Sequence, residues 1–118
     1  MDLNALLGPN NVVPTLKAAT KKQVLQEMAA RAARVTNLDE RQIFEVVQER
    51  ERLGTTGIGG GIAIPHGKMP GLDRLYGFFG RIETPVDFDA VDHEPVDLGF
   101  MLLAPDSAGA DHLKALAK

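Results

Sequence analysis

The sequence predicts a mixed α/β fold: one domain with helices packed on a sheet. Two stretches, 20–36 and 39–53, repeat their apolar residues with a helical period. Short β-rich runs, of which 96–103 is the longest, surround them. Helices and strands are interspersed along the chain rather than segregated into blocks, which is the pattern of helix-on-sheet packing. At 118 residues the chain suits a single domain, 1–118, that buries roughly two thirds of its unfolded surface.

Residues 2–7 are expected to form a short helix that the turn cluster Gly8-Pro9-Asn10-Asn11 halts. Residues 12–16 read as an edge strand, because Pro14 removes a ladder donor. Thr20 with Gln23 three positions on is a capping-box pattern, and it opens a helix ending near Asn37 whose apolar stripe is Val24, Leu25, Met28, Ala29, Ala32 and Val35. Asp39 with Gln42 repeats the signal and starts a second helix, which Gly54 ends after Leu53. At about 100° per residue, Ile43, Phe44, Val46 and Val47 form one face of that helix, and Arg50 falls within it. A charge on a core-facing stripe needs a partner. Either Arg50 snorkels at the helix end or pairs with a buried carboxylate, or its guanidinium is aimed at an anion.

Residues 57–68, Gly-Ile-Gly-Gly-Gly-Ile-Ala-Ile-Pro-His-Gly-Lys, are the most distinctive stretch. Gly57, Gly59, Gly60 and Gly61 permit close backbone approaches. Ile62-Ala63-Ile64 reads as a buried strand that Pro65 stops. His66 is then left at a strand end where a partner can reach it, with Gly67 giving that partner room and Lys68 solvated at the rim. After the turn at 70–73, residues 75–82 read as a strand whose glycines imply a bend or close packing, 85–88 as a short exposed strand, and 96–103 as the central strand. Residues 89–95, with His93 between Asp92 and Glu94, read as a charged loop in which His93 is exposed and inert. Asp111 caps a last expected helix over 112–118.

Composition bounds the function. With 44% hydrophobic and 25% charged residues, the chain is typical of soluble globular domains. A net charge of −3 argues against general nucleic-acid binding, which uses a basic face. The absence of cysteine excludes disulfides, thiol chemistry and cysteine-ligated zinc, and fits a cytoplasmic location. Asp2 with no basic and apolar leader implies no signal peptide, and no apolar run approaches the about 18 residues needed to span a membrane. A phosphate-binding P-loop fails because Ile62 and Met69 stand where glycine and Ser or Thr are required, and the dinucleotide fingerprint fails at Ile62. The histidines at 66, 93 and 112 lack a zinc-ligand spacing. No Gly-x-Ser-x-Gly nucleophile motif is present. No cofactor and no metal are therefore expected.

Three segments carry a resemblance to a known family: Glu49-Arg50-Glu51 followed by 56–59 and 62–68; Pro95-Val96-Asp97-Leu98; and Ala110-Asp111-His112-Leu113. Together they resemble the enzyme IIA proteins of the bacterial phosphotransferase system, fructose–mannitol class, in particular its nitrogen-regulatory branch. The resemblance extends over essentially the whole chain. It implies a five-stranded mixed sheet with helices on both faces. It also implies that His66 accepts a phosphoryl group from a small histidine-phosphorylated carrier, HPr or its nitrogen-branch counterpart, with His112 as second active-site histidine and Arg50 facing the phosphate. A neutral imidazole is a competent nucleophile near pH 7, Arg50 offers a planar fork to phosphate oxygens, and a helix N-terminus at His112 favours an anion. Regulated targets such as a kinase or transporter are implied. The alternatives are a sugar-specific component that passes the phosphoryl group to a IIB protein, and a docking module without chemistry. Family members continue past the helix that begins at His112, so a missing C-terminal part is expected, leaving an apolar face through which copies of the chain could associate.

Overall fold

The computed structural model describes residues 8–106. A short 3-10 turn at Pro9–Asn11 leads into β1 (Val12–Leu16), followed by α1 (Lys21–Thr36) and α2 (Glu40–Leu53). Then come β2 (Gly57–Gly59), β3 (Ile62–Ala63), β4 (His66–Met69), β5 (Tyr76–Val86) and β6 (Val96–Pro105). The expected helices at 2–7 and 112–118 lie outside the described residues.

Both helices start where their capping residues dictate. Thr20 accepts the Gln23 N–H, and the Gln23 side chain in turn accepts the Ala19 N–H at 2.8 Å. Asp39 accepts the Gln42 N–H at 2.9 Å. The α1 helix closes on Asn37 in the left-handed region, a position Asn tolerates.

The mixed sheet runs β1-β5-β6-β3-β2, with β4 also paired to β6. As expected from Pro14, β1 is an edge strand, parallel to β5. The long β6 is central, antiparallel to β5 on one side and parallel to β3 and β4 on the other. The sheet has six segments rather than the expected five, because Pro65 interrupts a strand instead of ending it. Ile62 pairs with Leu98 and His66 with Leu102, an equal spacing on both strands, so β4 resumes the register of β3. Pro65 lacks an N–H but its carbonyl still accepts the Leu102 N–H at 2.9 Å. Counted as one interrupted strand, β3 and β4 restore five.

Both described helices cover one face of the sheet. Met28 of α1 lies over Gly80 and Gly99, and Val46 of α2 lies over Gly67. Gly67 pairs with Leu103, which shares the alternation of Gly99 along β6. The core between these layers contains Val24, Leu25, Met28, Ile43, Val47, Phe78 and Met101, all nearly or fully buried. Helices on both faces are therefore not seen among the described residues. The segment 85–88 also differs from expectation. Val86 extends β5, and Val86 and Phe88 are buried, because the alternation that exposes Asp87 turns its neighbours inward.

Candidate functional site

The site forms where α2 ends against the break between β3 and β4. Three of the four glycines of 57–61 take positive φ: Gly59 at 102°, Gly60 at 66° and Gly61 at 81°. They turn the chain from β2 into β3, an antiparallel hairpin the sequence reading did not anticipate. The hairpin brings residues 62–66 alongside β6, and His66, half-buried, begins β4.

Two neighbours fix the His66 ring. Nδ1 lies 2.9 Å from the Ile64 carbonyl oxygen, and Nε2 lies 3.2 Å from Nε of Arg50. A carbonyl only accepts and a guanidinium only donates. The pair of contacts therefore selects the tautomer with its proton on Nδ1 and its lone pair on Nε2. Arg50 also donates from Nη1 to the Gly54 carbonyl at 2.7 Å, so its side chain is held at both ends of the guanidinium. It is half-buried at the flank of the α2 stripe. Neither a buried carboxylate nor free solvent satisfies it; an imidazole and a C-terminal carbonyl of its own helix do.

Gly67 has a different job from the one expected. It is buried, and a Cβ there would stand 2.5 Å from Cγ1 of Val46. The missing side chain lets α2 lie directly on β4, which sets the distance from Arg50 to His66; it does not make room for a partner. Lys68 is exposed on β4, and His93 is exposed in the turn before β6 with φ of 62°. His112 and Asp111 lie outside the described residues.

Sequence reasoning missed Glu51. It follows Ile43 and Val47 at successive spacings of four, on the most buried line of α2, and is 7% exposed. Its carboxylate accepts the Thr56 N–H at 2.9 Å, accepts the Thr56 hydroxyl, and stands 2.7 Å from Lys21 Nζ. The spacing of four from two core residues was the available signal. Among the described residues, no three His, Cys, Asp or Glu side chains are grouped as metal ligands, and no helix is long and apolar enough to cross a membrane.

A family model described as "Phosphoenolpyruvate-dependent sugar phosphotransferase system, EIIA 2" matches residues 5–118. The chain belongs to this EIIA type-2 family. The EIIA chain is 54% identical over 118 residues to a nitrogen regulatory protein of Bradyrhizobium diazoefficiens, covering 100% of this chain and 77% of that one. It is 34% identical over 119 residues to the fructose-specific EIIABC component of Bacillus subtilis, covering 100% of this chain but 19% of that protein. Among solved structures, the nitrogen regulatory protein IIA-Ntr of Neisseria meningitidis superposes with a TM-score of 0.90 at 37% identity, over 98% of this chain and 79% of that one. Phosphotransfer is thus the general chemistry of the family to which this EIIA domain belongs.

Proposed function

We propose that this EIIA domain is a phosphocarrier of the nitrogen-regulatory type, which accepts a phosphoryl group on Nε2 of His66. The observation that carries the reading is the His66 ring: Nδ1 is tied to the Ile64 carbonyl, and the Nε2 lone pair is directed at Arg50. In the transfer, the P–N bond to the donor carrier's imidazole breaks with its electron pair returning to that nitrogen. The P–Nε2 bond to His66 forms, and the proton stays on Nδ1 throughout, donated to the Ile64 carbonyl. Arg50 gives up its bond to Nε2 as the phosphoryl group arrives and offers its N–H groups to the phosphoryl oxygens, where the transition-state charge is spread. No side-chain proton has to be removed first, so positioning and charge neutralisation are the main demands on the protein. His112 acts as a second histidine at the same centre. The donor is a small histidine-phosphorylated carrier of the HPr type, and the phosphorylation state controls target proteins in the cytoplasm. The greater likeness to a nitrogen regulatory protein than to a fructose-specific component favours regulation over sugar uptake.

Intact mass after incubation with phosphoenolpyruvate, enzyme I and the carrier protein tests the proposal. Wild type is expected to gain one acid-labile phosphoryl group and His66→Ala none. An equal gain in both would move the acceptor elsewhere; no gain in wild type would overturn the carrier reading. Rapid discharge to a sugar-specific IIB protein would replace regulation by transport.

A further inference from the structure

Glu51 is a buried carboxylate that the phosphoryl chemistry does not use. It is neighbour in sequence to Arg50, yet it turns into the core. Burying a carboxylate is costly unless it is paired and hydrogen-bonded, and here both oxygens are engaged. Oε2 takes the Thr56 N–H and the Lys21 ammonium, and Oε1 takes the Thr56 hydroxyl. Lys21, the first residue of α1, also donates to the Phe88 carbonyl at 3.2 Å and lies 5.1 Å from the centre of the Phe88 ring. The Thr55 hydroxyl donates to that same carbonyl at 2.7 Å.

From Thr56 a hydrogen-bond path leads to the imidazole. The Thr56 carbonyl accepts the Ile64 N–H at 2.9 Å, and the Ile64 carbonyl accepts Nδ1–H of His66. A second path begins in the same turn. Gly54 donates its N–H to the Glu51 carbonyl at 3.2 Å and accepts Arg50 Nη1 with its own carbonyl. Both residues that contact His66, Ile64 and Arg50, are therefore hydrogen-bonded to the 54–56 segment, and the Glu51 carboxylate clamps Thr56 at its far end. Apolar packing does not hold the start of that turn, since Leu53 is 80% exposed and Gly54 is exposed too.

We infer that Glu51 is a positioning residue. Through Thr56 and Ile64 its carboxylate sets the tautomer and orientation of His66, with Lys21 neutralising its charge in place. The effect on phosphotransfer rests on the reading of His66 given above. The effect on the ring does not, because the tautomer is a property of the unphosphorylated chain.

Long-range 1H–15N correlation spectra of the imidazoles separate these readings, with His66→Ala assigning the His66 signals. Wild type is expected to show His66 as the Nδ1–H tautomer. Glu51→Ala and Thr56→Val are expected to show a mixture of tautomers, and a maximal phosphotransfer rate lowered about 10- to 100-fold, as for lost supporting hydrogen bonds around a reactive centre. The KM for the donor carrier should stay unchanged. The paired variant Glu51→Gln with Lys21→Met, neutral at both positions, should recover most of the wild-type tautomer. An unmoved tautomer and rate in folded Glu51→Ala would overturn the inference, even if the melting temperature fell. Should Glu51→Ala fail to fold, Thr56→Val decides by the same criteria. A tautomer that shifts in the variants while wild type accepts no phosphoryl group would leave the positioning role standing and remove the carrier reading.

Discussion

At the scale of single residues, the site depends on which side chains share a helical line. Arg50 was legible as an oddity because it falls seven positions after Ile43, among apolar neighbours, where a charge must find a partner. The family resemblance placed it at the phosphate of His66, but its direct bond to the imidazole was not legible, since His66 is brought to it by a β-hairpin and a helix packing that no local pattern encodes. Glu51 was read only as part of the Glu49-Arg50-Glu51 segment and given no role of its own, yet it diverges from Arg50, one side chain going to the flank and the other to the core. If Arg50 neutralises the transferred group, Arg50→Ala should lower the rate of His66 phosphorylation by about 10²-fold, the scale of one lost transition-state donor. Arg50→Lys should recover part of the loss, since it restores charge but not the planar fork. Rapid-quench phosphorylation kinetics check both; equal rates in all three proteins would remove Arg50 from the chemistry.

At the scale of elements, most of the helices and strands followed from caps, periodicity and proline placement. The N-caps Thr20 and Asp39 mark the starts of α1 and α2, and Pro14 marked β1 as an edge. The break at Pro65 was misread as an ending, because a proline's missing donor is visible in sequence whereas the neighbouring strand that still uses its carbonyl is not. Gly67 shows a similar limit. Its buried position under Val46 belongs to the contact between α2 and β4, and a glycine in isolation gives no sign of which surface approaches it. Gly67→Ala should therefore destabilise the domain by about 1–3 kcal/mol through overpacking, read as a lower urea midpoint, and slow phosphorylation by moving Arg50 away from His66. Adding Val46→Ala should restore much of both. If the single substitution left stability unchanged, the close approach of helix to strand would be refuted.

At the scale of the whole molecule, the mixed α/β class was readable from the alternation of helical and β periods, but the strand order was not. Parallel pairing of β1 with β5 and of β3 and β4 with β6 joins residues far apart in sequence. The glycine turn is tied to the distant 91–94 segment by Asp92, whose carboxylate accepts the Gly60 N–H at 3.0 Å and the Glu94 N–H at 3.1 Å. Those two bonds, the one from Gly60 first, hold its pKa below the ordinary aspartate range. Because the folded value is the lower one, the stabilisation is complete above the unfolded pKa and is lost as pH falls through the folded value. Urea midpoints should accordingly fall in strongly acidic solution, below the usual aspartate titration, and Asp92→Asn should flatten that part of the profile. The carboxylate is exposed, so the change should be small; a pH profile identical in the variant would show that Asp92 does not contribute.

The uninterrupted register across Pro65 also has a consequence in time. His66 belongs to a sheet segment hydrogen-bonded along β6, and such a segment moves only with rare local opening. Arg50 is tied to the site only by two side-chain hydrogen bonds, of 2.7 and 3.2 Å, and a half-exposed side chain reorients in nanoseconds once such bonds break. The centre thus joins a slow half to a fast half: the nucleophile waits in place while its electrostatic partner clears the path and returns. Relaxation measurements should find rigid backbone at 62–69 and rapid motion of the Arg50 guanidinium, with the two rates separated by orders of magnitude.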